Sequence, residues 1–177
     1  MPQLTPSQTI GPFYWGTVVK AYRADLAPPG VAGERIEVAL VLHDVQGAIV
    51  PDGLFEIWQA NSHGRYNHPE DRRNLPLDAG FDGYGRASTD TAGCARFSSV
   101  KPGRVPWPQG GMQAPHISLS IFARGLLNRV ATRLSRPRAK IEMLMCGACM
   151  PPAGHGTRPG FTVANLAHPS VKVEARP

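Results

Sequence analysis

Cysteine is scarce in this sequence. Three residues, an odd number, exclude the dense disulfide framework that staples small secreted domains. Long apolar runs are missing too: stretches such as VALVL (38–42) fall far short of the ~20 residues that a membrane-spanning helix needs. The opening MPQLTPSQTIGPFYWGTVVK has no basic start followed by an apolar run, so no secretory signal is expected and a cytoplasmic setting is the plain reading. Helical periodicity is weak, with no long window before residue 120 that keeps a 3.6-residue repeat. There is no basic helix, no glycine-rich phosphate loop and no interleaved aromatic ladder. The net charge of +6 therefore does not point to nucleic acid. That charge is also unevenly placed: residues 1–135 hold 13 basic and 11 acidic side chains, whereas 136–177 hold six and two.

What the chain does have is turns, with 19 Gly and 18 Pro in 177 residues, enough length for one domain with its own core. Between the turns lie short β-rich runs. IEVALVL (36–42), GLFEIWQA (53–60) and CARFSSV (94–100) read as strands, with Asp/Gly turns such as HDVQGAIV and TAG between them. In QAPHISLSIFARG (113–125), Ile117, Leu119, Ile121 and Ala123 alternate with His116, Ser118, Ser120, Phe122 and Arg124, the period-two mark of a half-buried strand. Residues 116 and 118 of such a strand share a face, where two histidines would clamp a metal; here they are a histidine and a serine. The pattern predicts an all-β, antiparallel sandwich. Residues 61–85 form a polar, turn-rich connection long enough to be functional or disordered. The aromatic QTIGPFYW near the start is expected to pack on something.

The words TPSQTIGPF, FEIWQANSHGRY, LPLDAGFDGYGRASTDTAG, FSSVKPGRVPW and APHISLSIFARGLLNRVATRL, in this order and spacing, resemble the intradiol ring-cleaving dioxygenases over about residues 4–134. The likeness is strongest to the alpha-type chains of the heteromeric members that open protocatechuate (3,4-dihydroxybenzoate). The resemblance implies an intradiol-type antiparallel β-sandwich over residues 1–134, with an N-terminal arm at 1–35. It also implies a homologous beta chain as partner in an alpha-beta hetero-oligomer. The implied reaction is O₂-dependent cleavage to 3-carboxy-cis,cis-muconate, in the aromatic catabolism of the beta-ketoadipate pathway. Its cofactor, Fe(III), is held by two tyrosines and two histidines of the beta chain.

Carried onto this sequence, the first tyrosine falls at Tyr66 and the first histidine at His116. Val105 stands where KPG-x-Y-P-W would place the second tyrosine, Ser118 where the second histidine belongs, and Gln113 in place of an arginine. Valine has no lone pair and serine is a poor ligand for ferric iron, so no metal ligand and no catalytic residue is expected in this chain. His116 then serves packing or a hydrogen bond, and Tyr66 is expected to be a buried phenol with a satisfied hydroxyl. The resemblance assigns substrate contact to Arg124, whose guanidinium suits a carboxylate, with Arg133 as the competing arginine. It also assigns substrate contact to Thr9, Gly11 and Pro12 of the arm, where a Gly-Pro step permits close backbone approach.

After Leu134 the composition shifts to Pro, Arg, Gly, Met and Cys, and strand alternation is lost. Residues 135–177 are expected to be an atypical tail, disordered or produced by a reading-frame change near codon 134–135. Its Cys146-Gly-Ala-Cys149 motif is a weak metal or redox signal without a βαβ setting. The alternative to an enzyme subunit is a non-enzymatic, transthyretin-like sandwich that binds a small molecule or protein. A self-sufficient intradiol enzyme fails on Val105 and Ser118. The joint presence of the SQTIGP arm and the KPG…PW…APH order favours the subunit, with no nucleic acid and no membrane as partner.

Overall fold

The computed structural model describes residues 22–44, 47–123, 126 and 129–135, and the backbone strands 162–163 and 172–174. Among the described residues ten strands follow one another: β1 Arg35–His43, β2 Leu54–Gln59, β3 Tyr84–Ser88, β4 Cys94–Val100, β5 Val105–Pro106, β6 Met112–Gln113, β7 His116–Phe122, β8 Val130–Ser135, β9 Thr162–Val163 and β10 Lys172–Glu174. They pair antiparallel into a five-stranded sheet (β3-β2-β7-β8-β9), a three-stranded sheet (β10-β1-β4) and a small hairpin (β5-β6). No helix occurs among the described residues.

The alternation read in the sequence is what sorts the faces. Ile117, Leu119 and Ile121 of β7, Phe55 and Ile57 of β2 and Leu134 of β8 point inward from the five-stranded sheet. Val38 and Leu40 of β1 and Phe97 of β4 come from the three-stranded one, and all of these form a single core. Burying a side chain of this size stabilises the fold by ~1.5–3 kcal/mol. Polar groups stitch the layers as well. Gln59, fully buried on β2, donates to the Val100 carbonyl (2.7 Å) and accepts from the Ser99 hydroxyl (2.8 Å), joining one sheet to the other. At one edge the segment around Leu26 bridges both sheets, Arg23 pairing with Arg86 of β3 and Asp25 with Ser98 of β4.

Two results depart from the sequence reading. β9 and β10 lie in the tail, where their two and three residues are too short for alternation to register. Cys94 is disulfide-bonded. The N-terminal arm and the Cys146–Cys149 motif also lie outside them.

The long 61–85 connection is held by Asn61, a buried residue whose side chain uses both ends. Its amide donates to Pro76 O (2.8 Å) and Asp78 Oδ2 (2.9 Å), and its Oδ1 accepts from the backbone N–H groups of His63 (3.1 Å) and Arg65 (2.9 Å). Its backbone carbonyl takes Gly103 N–H at 2.8 Å, tying this loop to the one that leads into β5. The two loops touch backbone to backbone. Gly64 has φ +81°, and a Cβ on it would lie 2.1 Å from the Arg104 carbonyl oxygen, so only glycine fits the crossing.

Candidate functional site

The crossing loops bring residues 66 and 105 beside the start of β7. A cleft of about 900 Å³ opens there, walled by Trp58, Tyr66, Val105, Gln113, His116, Ser118 and Arg133. Positions 66, 105, 113, 116 and 118, singled out separately in the sequence, thus converge on one space.

Tyr66 stacks nearly parallel on Trp58, centroids 5.8 Å apart at 7°. Its backbone N–H donates to Asp71 Oδ2 (2.8 Å), and Asp71 is gripped in turn by Arg73, whose Nε reaches Oδ1 at 2.7 Å. Arg73 also donates to the Gly64 carbonyl at 2.7 Å, so the loop wall is a closed network. The guanidinium beside it holds the Asp71 carboxyl at about 2. Burial pushes the Tyr66 phenol up, while Arg133 and Arg73 oppose that rise. The Tyr66 side chain is half-buried.

His116 is buried, although the strand alternation puts it with the polar residues. Its Nδ1 lies 2.9 Å from the Ala114 carbonyl. A carbonyl only accepts, so Nδ1 is the donor in this contact. Val105 pairs with Gln113 across the β5-β6 hairpin and is itself buried. Ser118 lies opposite Trp58 on one side and Arg133 on the other. Gln113 spans the mouth, donating to Pro106 O (2.8 Å) and accepting from Arg133 (2.9 Å).

At the four positions that the resemblance implies as ligands, the donors are therefore one phenol and one imidazole; His68 and Glu70 also line the cleft, and both are exposed. The nearby carboxylate of Asp71 is already committed to Arg73, and no cluster of three or more His, Cys, Asp or Glu suited to a metal occurs among the described residues. This set does not fit a hard trivalent ion, which would keep most of its coordination as water.

A smaller cleft of about 670 Å³ adjoins the first and shares Trp58, Ser118 and Arg133 with it. Glu56 lies in it, accepting from the Tyr84 hydroxyl (2.9 Å) and Arg86 Nε (2.8 Å); burial and this carboxylate push the Tyr84 phenol up to about 12. Arg129 donates to Ser120 Oγ at 3.0 Å.

Arg124, Thr9, Gly11 and Pro12 lie outside the described residues. Arg133, placed behind Arg124 by sequence reasoning, is the guanidinium that lines both clefts. The alternation in VATRLS carried the signal, since residues 131 and 133 share the outward face. Asn61 and the Asp71–Arg73 pair carried no such signal.

The positions singled out by the resemblance converge on one cleft, and the chain belongs to the intradiol dioxygenase family, which uses Fe(III). The family described as Dioxygenase matches residues 19–137. The chain is 38% identical over 141 residues to the protocatechuate 3,4-dioxygenase alpha chain of Pseudomonas putida, covering 73% of this chain and 68% of that one. To the beta chain of the Burkholderia cepacia enzyme it is 40% identical over 107 residues, 59% of this chain and 46% of the relative, so it spans about half of that chain's length. Among solved structures, the dioxygenase domain of a carbohydrate-binding fusion from Streptomyces sp. SirexAA-E shares the fold, with a TM-score of 0.52, 20% identity, and coverage of 90% of this chain and 91% of that one. The chain is thus homologous to both kinds of subunit of a heteromeric dioxygenase.

Proposed function

We propose that this chain is the alpha-type, non-metal subunit of a protocatechuate 3,4-dioxygenase. In this reading a homologous beta chain holds the Fe(III), and the two chains together cleave 3,4-dihydroxybenzoate with O₂ to 3-carboxy-cis,cis-muconate. The observation that carries it is the cleft itself: all four ligand positions meet there, yet two are Val105 and Ser118. A site that keeps the frame of a metal centre and lacks two of its four donors fits a subunit whose chemistry is done by its partner. The greater coverage of an alpha chain than of a beta chain supports the same reading. Arg124, Thr9, Gly11 and Pro12 are proposed as its contribution to the shared substrate site, orienting the ring and balancing the carboxylate.

Elemental analysis of iron tests this, on the chain alone and on the chain co-purified with a homologous beta chain. Iron and ring-cleaving activity are expected only in the complex, with activity falling on Arg124→Ala. Stoichiometric iron in the chain alone would overturn the proposal. A chain that joins no beta chain and binds a small molecule without turnover would favour a non-enzymatic β-sandwich module.

A further inference from the structure

We infer that the ligand-poor cleft is a metal-independent anion site in its own right, in which Arg133 supplies the positive charge and the occupant is a small aromatic monocarboxylate. The inference rests on the reading above that this cleft holds no iron.

The argument begins with register. Ser118 is flanked directly by Trp58 on β2 and Arg133 on β8. Strands lie ~4.8 Å apart, so the indole and the guanidinium arise ~10 Å from each other, on either side of Ser118. The Tyr66 ring stacks on the indole, and the Ser118 hydroxyl is a further donor in the same cleft.

Charge points the same way. The acids that line the two clefts are mostly engaged: Asp71 with Arg73, and Glu56 with Arg86 and Tyr84. Glu70 is exposed at the rim. Arg133 has no carboxylate partner among the described residues; it is tethered only to the neutral Gln113, which the Pro106 carbonyl orients from behind. A guanidinium held by a neutral amide keeps its charge for an incoming carboxylate and gives up little freedom on binding. The Trp58–Tyr66 stack provides an apolar, planar wall beside it, which favours an aromatic acid over a short aliphatic one.

The test is calorimetric titration of benzoate into the full chain after dialysis against a chelator, with benzamide and acetate as controls. Saturable one-to-one benzoate binding is expected, with benzamide silent and acetate weaker. Arg133→Gln is expected to weaken it about tenfold or more, Arg133→Lys less, and Gln113→Leu a few-fold. Arg133 is exposed, so circular dichroism of these variants is expected to match the parent. No saturable binding in the iron-free chain, or binding that Arg133→Gln leaves unchanged, would overturn the inference while leaving the subunit reading intact. Benzoate binding lost together with iron on dialysis would sink the subunit reading and the inference together.

Discussion

Ser118 on β7 faces Arg133 on β8 across one antiparallel pair, so a residue too short to ligate a metal sits beside a cation that would repel one. This juxtaposition is hostile to a metal twice over, by lost donor and by gained charge. Restoring the ligands alone is therefore expected to give an incomplete rescue.

The triple variant Val105→Tyr, Ser118→His, Arg133→Gln is expected to retain iron near one per chain after gel filtration. Either single ligand substitution should stay close to the parent, and the double substitution that keeps Arg133 should fall between. Elemental analysis reads the series. A triple variant no better than the parent would mean that positions 66, 105, 116 and 118 do not aim at one point.

Gly64→Ala is expected to destabilise the fold by more than about 2 kcal/mol, measured by urea unfolding. The new Cβ would sit in a left-handed backbone conformation and against the Arg104 carbonyl, with a rigid main chain on the other side. Gly110→Ala, whose Cβ would meet nothing within 4 Å, isolates the φ effect at +99° and should cost less.

Asn61→Ala strips one side chain from two backbone N–H donors, one backbone carbonyl and the Asp78 carboxylate. A loss of about 2–3 kcal/mol is expected, because buried partners are left unpaired. Asn61→Asp is expected to be no better: it keeps the acceptor but turns the donor end against Pro76 O and Asp78.

The Asp71 carboxyl is depressed from 3.8 to about 2 by Arg73, so its ionised form favours the folded state. Its contribution is complete above the unfolded value and is lost as pH falls from about 4 toward 2. Urea midpoints at pH 5 and pH 3 are expected to differ more for the parent than for Asp71→Asn. An equal difference would show that this pair has no part in acid sensitivity.

Sequence alone carried the strands well where alternation was long. The CARFSSV run coincides with β4, and β7 lies within the QAPHISLSIFARG run, whose alternation assigns the faces of Ile117 to Phe122 though not of the buried His116. It failed on β9 and β10, whose pairing comes from neighbours and not from their own pattern. In the site, the resemblance identified positions 66, 105, 113, 116 and 118. It could not show that Gln113 clamps Arg133, because that contact depends on the register of β7 against β8 and on a hairpin of only two residues per arm. The Asn61 hub was invisible for a related reason: its partners are mostly main-chain atoms, which leave no mark on residue identity.

The Gly64–Arg104 crossing has an evolutionary consequence. The frame that gathers residues 66 and 105 is written in glycine and main chain, while the chemistry is written in side chains that project from it. Ancestral and descendant sites can then exchange donors at 105 and 118 with little disturbance to the scaffold, so a gene duplicate is free to shed catalysis long before it loses its shape.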